Sequence, residues 1–491
     1  MTPEMMIIAA LGIPLAVAVG IFLTGRVPDI REGVTLIGAV ALFIVAILLV
    51  REVAAGGVPE LVLGDAIPGM TFAFKVEPLG ALFALVGSGL WIINSFYSIG
   101  YMRGHRERNQ TRFYMCFALA LFGVMGIALA ANLFTLFVFY EILTLSTYPL
   151  VTHKGDEAAR RGGRIYLLTL MGTSMGLFLV AVIWTSSVAG SLDFVPGGLL
   201  AGKVGPGVAS VLLLLFVFGI GKAALMPFHF WLPNAMVAPT PVSALLHAVA
   251  VVKAGVFTVL KVSIYIFGPD LLSATPATDW VLGIGCATIL IASLIAMTKD
   301  NLKARLAYST VSQLAYITVG AMLATSAGFM GGGLQIAAHA MAKITLFMCA
   351  GAIYVATGLT NISDMRGLGK KMPWVFGAFL VAAMSIIGLP PFAGGWVKYE
   401  LMLGAAEASR HYVVWVLIAS SILNIAYLLP IPFLALMPPK GTPEPAPYKR
   451  AEGAPFFTVA APVITAFGTL VLFFLMGSLA KFLEPIMGGL T

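Results

Sequence analysis

Residues Gly221-Lys222-Ala223-Ala224-Leu225-Met226-Pro227-Phe228-His229-Phe230-Trp231 set a lysine and a proline inside an otherwise apolar run. Proline removes a backbone hydrogen bond and clashes with the preceding turn, so the run predicts a helix broken beside its lysine. A second stretch repeats the design: Gly388-Leu389-Pro390-Pro391-Phe392-Ala393-Gly394-Gly395-Trp396-Val397-Lys398. Outward from these two, apolar runs bounded by polar breaks fall near 5–24, 34–50, 76–99, 113–130, 132–151, 165–189 and 208–235. Others follow near 241–267, 279–297, 305–325, 333–357, 373–403, 412–436 and 455–478. That is about fourteen spans, and the interrupted ones are the seventh and the twelfth. A shift by five spans reverses direction in a membrane, so spans 4–8 and 9–13 can form an inverted repeat. Paired interrupted helices in corresponding positions point to an ion site.

The whole chain agrees with this reading. Of 491 residues, 60% are hydrophobic and only 10% are charged, with a mean hydropathy of +0.99. Soluble domains are about 45–50% apolar and about 25% charged, so a soluble protein is excluded. Lipid admits only helices and closed barrels, and continuous apolar runs do not fit alternating barrel strands. The expected fold is therefore an all-α integral membrane protein. Its expected segments are 1–111 (three helices), 112–268 (first five-helix repeat), 279–436 (second repeat) and 437–491 (a loop and the last helix). The net charge of +8 reads as loop topology rather than nucleic-acid binding. Nineteen of the 29 basic residues fall in loops after odd-numbered spans, including Lys440, Lys449 and Arg450; six, Lys261 among them, lie on the other side, helix ends included. The Arg103–Arg112 and Arg160–Arg164 clusters most simply set topology and meet anionic lipid heads. Both termini are expected away from the cytoplasm. Met1-Thr2-Pro3-Glu4 has no basic residue before the first span, which argues against a cleaved signal peptide. Cys116, Cys286 and Cys349 are far apart, with no metal-binding spacing and no dinucleotide fingerprint nearby. No cofactor, no metal and no redox chemistry are expected in this chain.

The remaining four basic residues, Lys222, Lys253, Lys343 and Lys398, lie inside predicted spans. Glu141 and Glu400 do so too, with His229, His247 and His339. A charge at the centre of a membrane helix costs about 2.5–3.5 kcal/mol or more, so such residues are functional candidates by default. Lysine suits a proton relay because burial shifts its proton affinity, whereas arginine stays charged. Glu141 and Lys222, opposite charges in neighbouring inward spans, are expected to pair; a hydrogen-bonded core carboxylate is the plainer alternative. His247 and Lys253 are six residues apart, about 240° of helix, and so do not share a face unless the helix bends. Lys253 is expected as the central relay, with His247 as its neighbour. His339 and Lys343, four apart, share a face. Lys398 and Glu400 point to opposite sides. His229 has two readings, a place on the path or, beside Phe228, Phe230 and Trp231, only a bond to backbone freed by Pro227.

Several of these stretches resemble the antiporter-like membrane subunits of respiratory complex I, Mrp-type cation/proton antiporters and membrane-bound hydrogenases. The resemblance rests on Lys222-Ala-Ala-Leu-Met-Pro-Phe-His-Phe-Trp-Leu-Pro-Asn234, Ala238-Pro-Thr-Pro-Val-Ser-Ala-Leu-Leu-His247 and Val252-Lys-Ala-Gly255. Asp300-Asn-Leu-Lys-Ala-Arg-Leu-Ala-Tyr-Ser-Thr-Val-Ser-Gln313, His339-Ala-Met-Ala-Lys343 and Gly388-Leu-Pro-Pro391 extend it. It implies fourteen helices with two inverted five-helix repeats broken at Pro227 and at Pro390-Pro391. It also implies a proton path through Glu141, Lys222, His247, Lys253, His339, Lys343 and Lys398. In that alignment the terminal ionisable position falls on Lys398 rather than Glu400. The stretch Tyr148-Pro-Leu-Val-Thr-His-Lys154 after Glu141 is most similar to the D-type component of Mrp antiporters, while His247 and Lys398 look more like the larger relatives. Implied partners are the lipid bilayer, the other subunits of an antiporter or respiratory complex, protons and Na+, in a bacterial inner membrane. The alternative is the proton-pumping subunit of complex I or of a hydrogenase. A carrier for a small organic solute fits the repeat but not four intramembrane lysines.

Overall fold

The computed structural model describes residues 1–67, 70–438 and 453–486. Lys440, Lys449 and Arg450, and most of the expected loop after residue 437, lie outside the described residues. The described chain is almost entirely helical. Its helices are α1 (Pro3–Thr24), α2 (Pro28–Ala54), α3 (Pro78–Gly104), α4 (Gln110–Ala128) and α5 (Leu133–Val151), then α6 (Glu157–Ala189) and α7 (Pro206–Gly219). They continue with α8 (Thr240–Phe267), α9 (Pro276–Thr298), α10 (Leu302–Met322) and α11 (Ser326–Thr357). The last are α12 (Pro373–Ile387), α13 (Ala393–Glu407), α14 (His411–Leu436) and α15 (Phe456–Leu483). Proline opens many of them, where its missing N–H costs nothing. Side chains of Asn132, Asp156, Asn301 and Thr325 cap α5, α6, α10 and α11.

Among the described residues, eleven helices are long and apolar enough to cross a membrane. The expected fourteen counts three more segments. Two are the broken seventh and twelfth, whose apolar helices α7 and α12 are short. The third is α10, which carries Lys303, Arg305, Ser309, Ser312 and Gln313.

The breaks fall where the prolines put them. After α7 the chain makes a 3-10 turn at Gly221–Ala223, passes through Ala224 at φ 54°, and regains helix only at Trp231–Asn234. The indole of Trp231 donates to the Gly221 carbonyl at 3.0 Å, which closes the gap. The second break runs from Gly388 (φ 88°) to Phe392, between α12 and α13. Met226–Pro227 and Pro390–Pro391 are cis. The backbone from Ile220 to Leu225 is buried, as non-helical chain at membrane depth must be.

Burial is graded across the structure. The window of α8 is 100% buried and that of α11 is 94%, against 39% for α1 and α2 and 33% for α15. Exposed apolar side chains such as Phe22, Ile37, Phe467 and Phe474 therefore lie on the outer helices, facing lipid. The helices that carry His247, Lys253, His339 and Lys343 are the two most enclosed.

Two features depart from expectation. The gap between the second and third spans is an antiparallel hairpin, β1 (Glu60–Ile67) with β2 (Met70–Lys75), rather than plain loop. Its inner strand bonds the turn between α4 and α5: Lys75 N donates to the Leu129 carbonyl at 2.8 Å, and Ala131 N to that of Ala73 at 3.0 Å. The basic cluster near Arg103 also does more than meet lipid heads. Arg103 bonds Asp29 at 2.5 Å and Glu32, while Arg31 reaches Glu32 at 3.1 Å and Gln110 at 2.9 Å. Arg31 and Glu32 are buried, so this network locks α2 to α3 and to the start of α4.

Gly255 of α8 sits directly against the first break: an added Cβ would collide with the backbone of Lys222 and Ala223. Overpacking of this kind costs about 1–3 kcal/mol. Gly255→Ala should therefore lower the thermal midpoint of the assembled protein, read by scanning fluorimetry. Gly172→Ala, which meets nothing within 4 Å, should leave the midpoint unchanged or raise it.

Candidate functional site

The four intramembrane lysines are all enclosed: Lys222, Lys253 and Lys343 are 0% exposed and Lys398 is 6% exposed. Lys222, Lys343 and Lys398 are each held by neutral groups. Lys222 Nζ donates to the Tyr140 carbonyl at 2.9 Å and to Thr144 Oγ1 at 2.6 Å, and lies over the Tyr140 ring. The backbone N–H of Lys222 donates to the Tyr140 hydroxyl at 3.1 Å, so one tyrosine of α5 clamps the broken segment twice. The expected direct Glu141–Lys222 pair is not formed. Glu141 is buried one residue further along α5, and neither carboxylate oxygen has a protein partner among the described residues. The reason is helical geometry: consecutive residues point about 100° apart, and Lys222 binds the face bearing Tyr140 and Thr144.

At the centre, Lys253 of α8 and His339 of α11 meet at 2.7 Å, Nζ to Nδ1. This contact is the tightest link between ionisable groups in the site. An ammonium can donate to a neutral imidazole there, or an imidazolium to a neutral amine. The two states differ by one proton moved along the hydrogen bond. His247 is fully buried and packs its ring on Phe347 of α11 at 4.6 Å, and neither of its nitrogens has a protein partner among the described residues. It lies in a π turn, Leu245–Val249, followed by a kink at Ala250 (φ −107°, ψ −80°). That bend overrides the 240° separation, and both His247 and Lys253 face α11.

Toward the other end, Lys343 donates to Ser309 Oγ of α10 at 2.6 Å and to the Leu306 carbonyl at 3.3 Å. The chain continues through α14. The Tyr427 hydroxyl contacts Ser309 Oγ at 2.9 Å and Asn424 Oδ1 at 2.6 Å, and Asn424 Nδ2 donates to the Ile386 carbonyl at 3.3 Å. Lys398 donates to the next carbonyl, Ile387, at 2.6 Å, and to Ser421 Oγ at 2.5 Å. A cavity of about 10 Å³, room for roughly one water, is lined by His339, Gln313, Gln335, Tyr316, Ser385 and Lys398. The structure thus brings together Lys253 with His339, and links Lys343 through Ser309, Tyr427 and Asn424 to the Ile386 carbonyl, the neighbour of the Ile387 carbonyl that Lys398 binds. It does not join Lys222 to Lys253 by any side-chain hydrogen bond among the described residues; those elements meet by backbone at Gly255.

Two residues take the plainer role. His229 bonds only the Pro227 carbonyl, at 3.2 Å. Glu400 is half-buried on the other side of α13 from Lys398.

With this geometry in place, the comparisons with known proteins are specific. The profile of the family described as NADH:quinone oxidoreductase/Mrp antiporter, transmembrane, matches residues 130–424. The chain belongs to that family. It is 34% identical over 475 residues to the N-type component of the NADH-quinone oxidoreductase of Desulforudis audaxviator (strain MP104C), covering 94% of this chain and 92% of that one. It is 27% identical over 432 residues to the D-type component of the Na(+)/H(+) antiporter of Alkalihalophilus pseudofirmus (strain ATCC BAA-2126 / JCM 17055 / OF4), covering 87% and 86%. Its fold matches a chain in the structure of the Mrp complex from Dietzia sp. DQ12-45-1b with a TM-score of 0.81, at 23% identity over 98% and 99% of the two chains.

For this family member, several site residues went unread in the sequence: Tyr140, Thr144, Ser309, Tyr427, Asn424 and Ser421. Their signal was weak but present, as polar residues three or four apart inside otherwise apolar spans. Lys398 and Glu400 offer a direct test. Lys398→Ala should lower proton movement by about tenfold or more, while Glu400→Gln keeps most of it. The measurement is dye-reported ΔpH in vesicles carrying the assembled complex.

Proposed function

We propose that this chain is a proton-translocating, antiporter-like subunit of a multisubunit membrane complex, of the Mrp type and akin to its D-type component, exchanging protons for a monovalent cation such as Na+. The observation that carries the reading is the Lys253–His339 contact at 2.7 Å, enclosed between the two most buried helices. Buried charges at membrane depth are expensive and mark proton or ion paths. Protons enter the line at Glu141 and Lys222, pass Lys253 with His247 beside it, and continue through His339 and Lys343 to Lys398. The residues 112–268 and 279–436 act as inverted repeats. Support comes from their matching parts: each broken span sets a lysine near a tyrosine, Tyr140 for Lys222 and Tyr316 for Lys398, and each carries a tryptophan after its break, Trp231 and Trp396. Both termini lie on the non-cytoplasmic side of a bacterial inner membrane, as the loop charges argue.

The Mrp reading is supported by the match over 86% of an antiporter's D-type component. One observation favours a second reading, a redox-driven pump: the higher identity, 34% over 475 residues, to the N-type component of an oxidoreductase. Under either reading this chain moves protons, and any electron carriers sit in partner subunits.

The test uses the native complex purified from its source membrane and reconstituted in proteoliposomes. A pulse of NaCl or KCl that collapses an imposed ΔpH, with no iron–sulfur or flavin subunits found by mass spectrometry, supports the antiporter. ΔpH generated only on quinone reduction supports the pump. In either system Lys222→Arg, which keeps its charge but holds its proton, and Lys253→Met should each lower proton movement by about tenfold or more. Wild-type rates in both variants would overturn the relay.

A further inference from the structure

The helix α8 is buried throughout, yet a cavity opens at each of its ends. On the face with the basic loops, Thr240 shares a cavity of about 170 Å³ with Lys154, Lys303 and Tyr101. Lys303 donates there to the Ala238 carbonyl at 2.6 Å. On the opposite face, Lys261 and Tyr265 line a cavity of about 360 Å³ together with Lys75, Glu77, Ala130 and Phe194. His247 and Lys253 lie on the same helix between the two cavities.

Lys261 is not an ordinary loop cation. Its side chain is 1% exposed, pairs with Glu77 at 2.8 Å, donates to the Ala130 carbonyl at 2.7 Å, and sits 4.4 Å from the Phe194 ring centroid. Glu77 is 15% exposed and opens to the cavity. The nearby Lys75 is half-exposed and pairs with Glu60 at 2.7 Å, though its charge still reaches Lys261, and the Tyr265 hydroxyl hydrogen-bonds Glu77. A buried ion pair is a poor stabilising device, because two apolar side chains of similar volume hold a fold as well or better. Its place on a relay helix at the wall of a cavity of about 360 Å³ needs another reason.

We infer that Glu77 and Lys261 form an outward proton port serving Lys253, coupled to the Lys398 end so that turnover needs both and loss of either one stops proton movement. This deepens the relay proposed above and rests on it. The Lys261 ammonium gives a proton to the Glu77 carboxylate: an N–H bond breaks, an O–H bond forms, and a neutral amine and acid result. Glu77 then loses that proton to water in the cavity, and the amine takes the next proton from the direction of Lys253. Lys253 and Lys261 are eight residues apart, about 12 Å along the helix, with Phe257 and Thr258 buried between them. That dry stretch is the gate, and water must enter it for each proton to pass.

The experiment uses the assembled complex in proteoliposomes, with ΔpH read by dye and subunit content checked by mass spectrometry. Lys261→Met, Glu77→Gln and the double variant Glu77→Met/Lys261→Met should each lower proton movement by about tenfold or more without loss of subunits. If the pair is only a structural lock, the apolar double variant assembles and keeps most of the wild-type rate, and the port is overturned. Lys253→Met separates the two layers of the argument. A wild-type rate in that variant defeats the relay itself; its loss, beside full activity in the double variant, defeats only the port. Sidedness gives an independent reading. Lys261→Cys, or Glu77→Cys should the first fail to assemble, should react with a membrane-impermeant thiosulfonate from the hairpin face alone. Reaction only from the basic face, or none from either, overturns the assignment.

Discussion

An ammonium group at membrane depth must be solvated by the protein, and here that is done largely without carboxylates. Lys222 has the Tyr140 carbonyl and Thr144; Lys343 has the Leu306 carbonyl and Ser309; Lys398 has the Ile387 carbonyl and Ser421. One carbonyl and one hydroxyl recur in each cradle. A neutral cradle steadies the charged form, yet it leaves no bare anion behind when the proton departs, as a paired carboxylate would. The broken helix supplies one of these acceptors directly: Ile387 ends α12, where the last carbonyls lack a partner in their own helix. The break at Pro390-Pro391 thus belongs to the electrostatics of the site as much as to the fold.

The two halves differ in an instructive way. Tyr140 and Tyr316 stand in matching places beside Lys222 and Lys398, but the residue after Tyr140 is Glu141 and the residue after Tyr316 is Ile317. The tyrosine is common to both ends and the carboxylate is not. Glu141 also touches no part of Lys222 by hydrogen bond. Its influence must be exerted through space, where an opposite charge favours the ionised lysine and its neutralisation favours release. In the proposed relay that casts it as a modulator of one end rather than a general feature of the lysine sites.

How much of this is legible in the sequence depends on the kind of information needed. Membrane class, broken spans and the buried ionisable residues follow from hydropathy and from where Lys, His and Pro interrupt it, because lipid punishes errors at those positions severely. Partnerships are harder. Glu141 and Lys222 look like a pair on charge alone, but the rotation of α5 sets Tyr140 and Thr144 toward the lysine instead. Counting 100° per residue separates His247 from Lys253, and a π turn undoes the count. The chain Ser309–Tyr427–Asn424 is hidden because hydroxyls and amides in a membrane helix are common and cheap, so only their three-dimensional alignment distinguishes them. Lys261 reads as a cation at a helix end because its partner, Glu77, lies 184 positions earlier in the sequence. The hairpin escapes notice because its two strands, of eight and six residues, are each too short to register as a membrane span.

The central contact also limits what the line can carry. With Lys253 and His339 2.7 Å apart, one shared proton gives the pair a single positive charge whichever group holds it, so transfer between them requires no change in buried charge. A second proton would set two cations at that distance. At an effective dielectric of about 20 their repulsion is about 6 kcal/mol, before the cost of burying the extra charge. Lys343 lies one helical turn from His339 on the same face, and its own charge adds to that penalty. A proton can therefore join the centre only as another leaves. In the proposed relay the midpoint is then a one-proton station, through which occupancy at one end acts on the other.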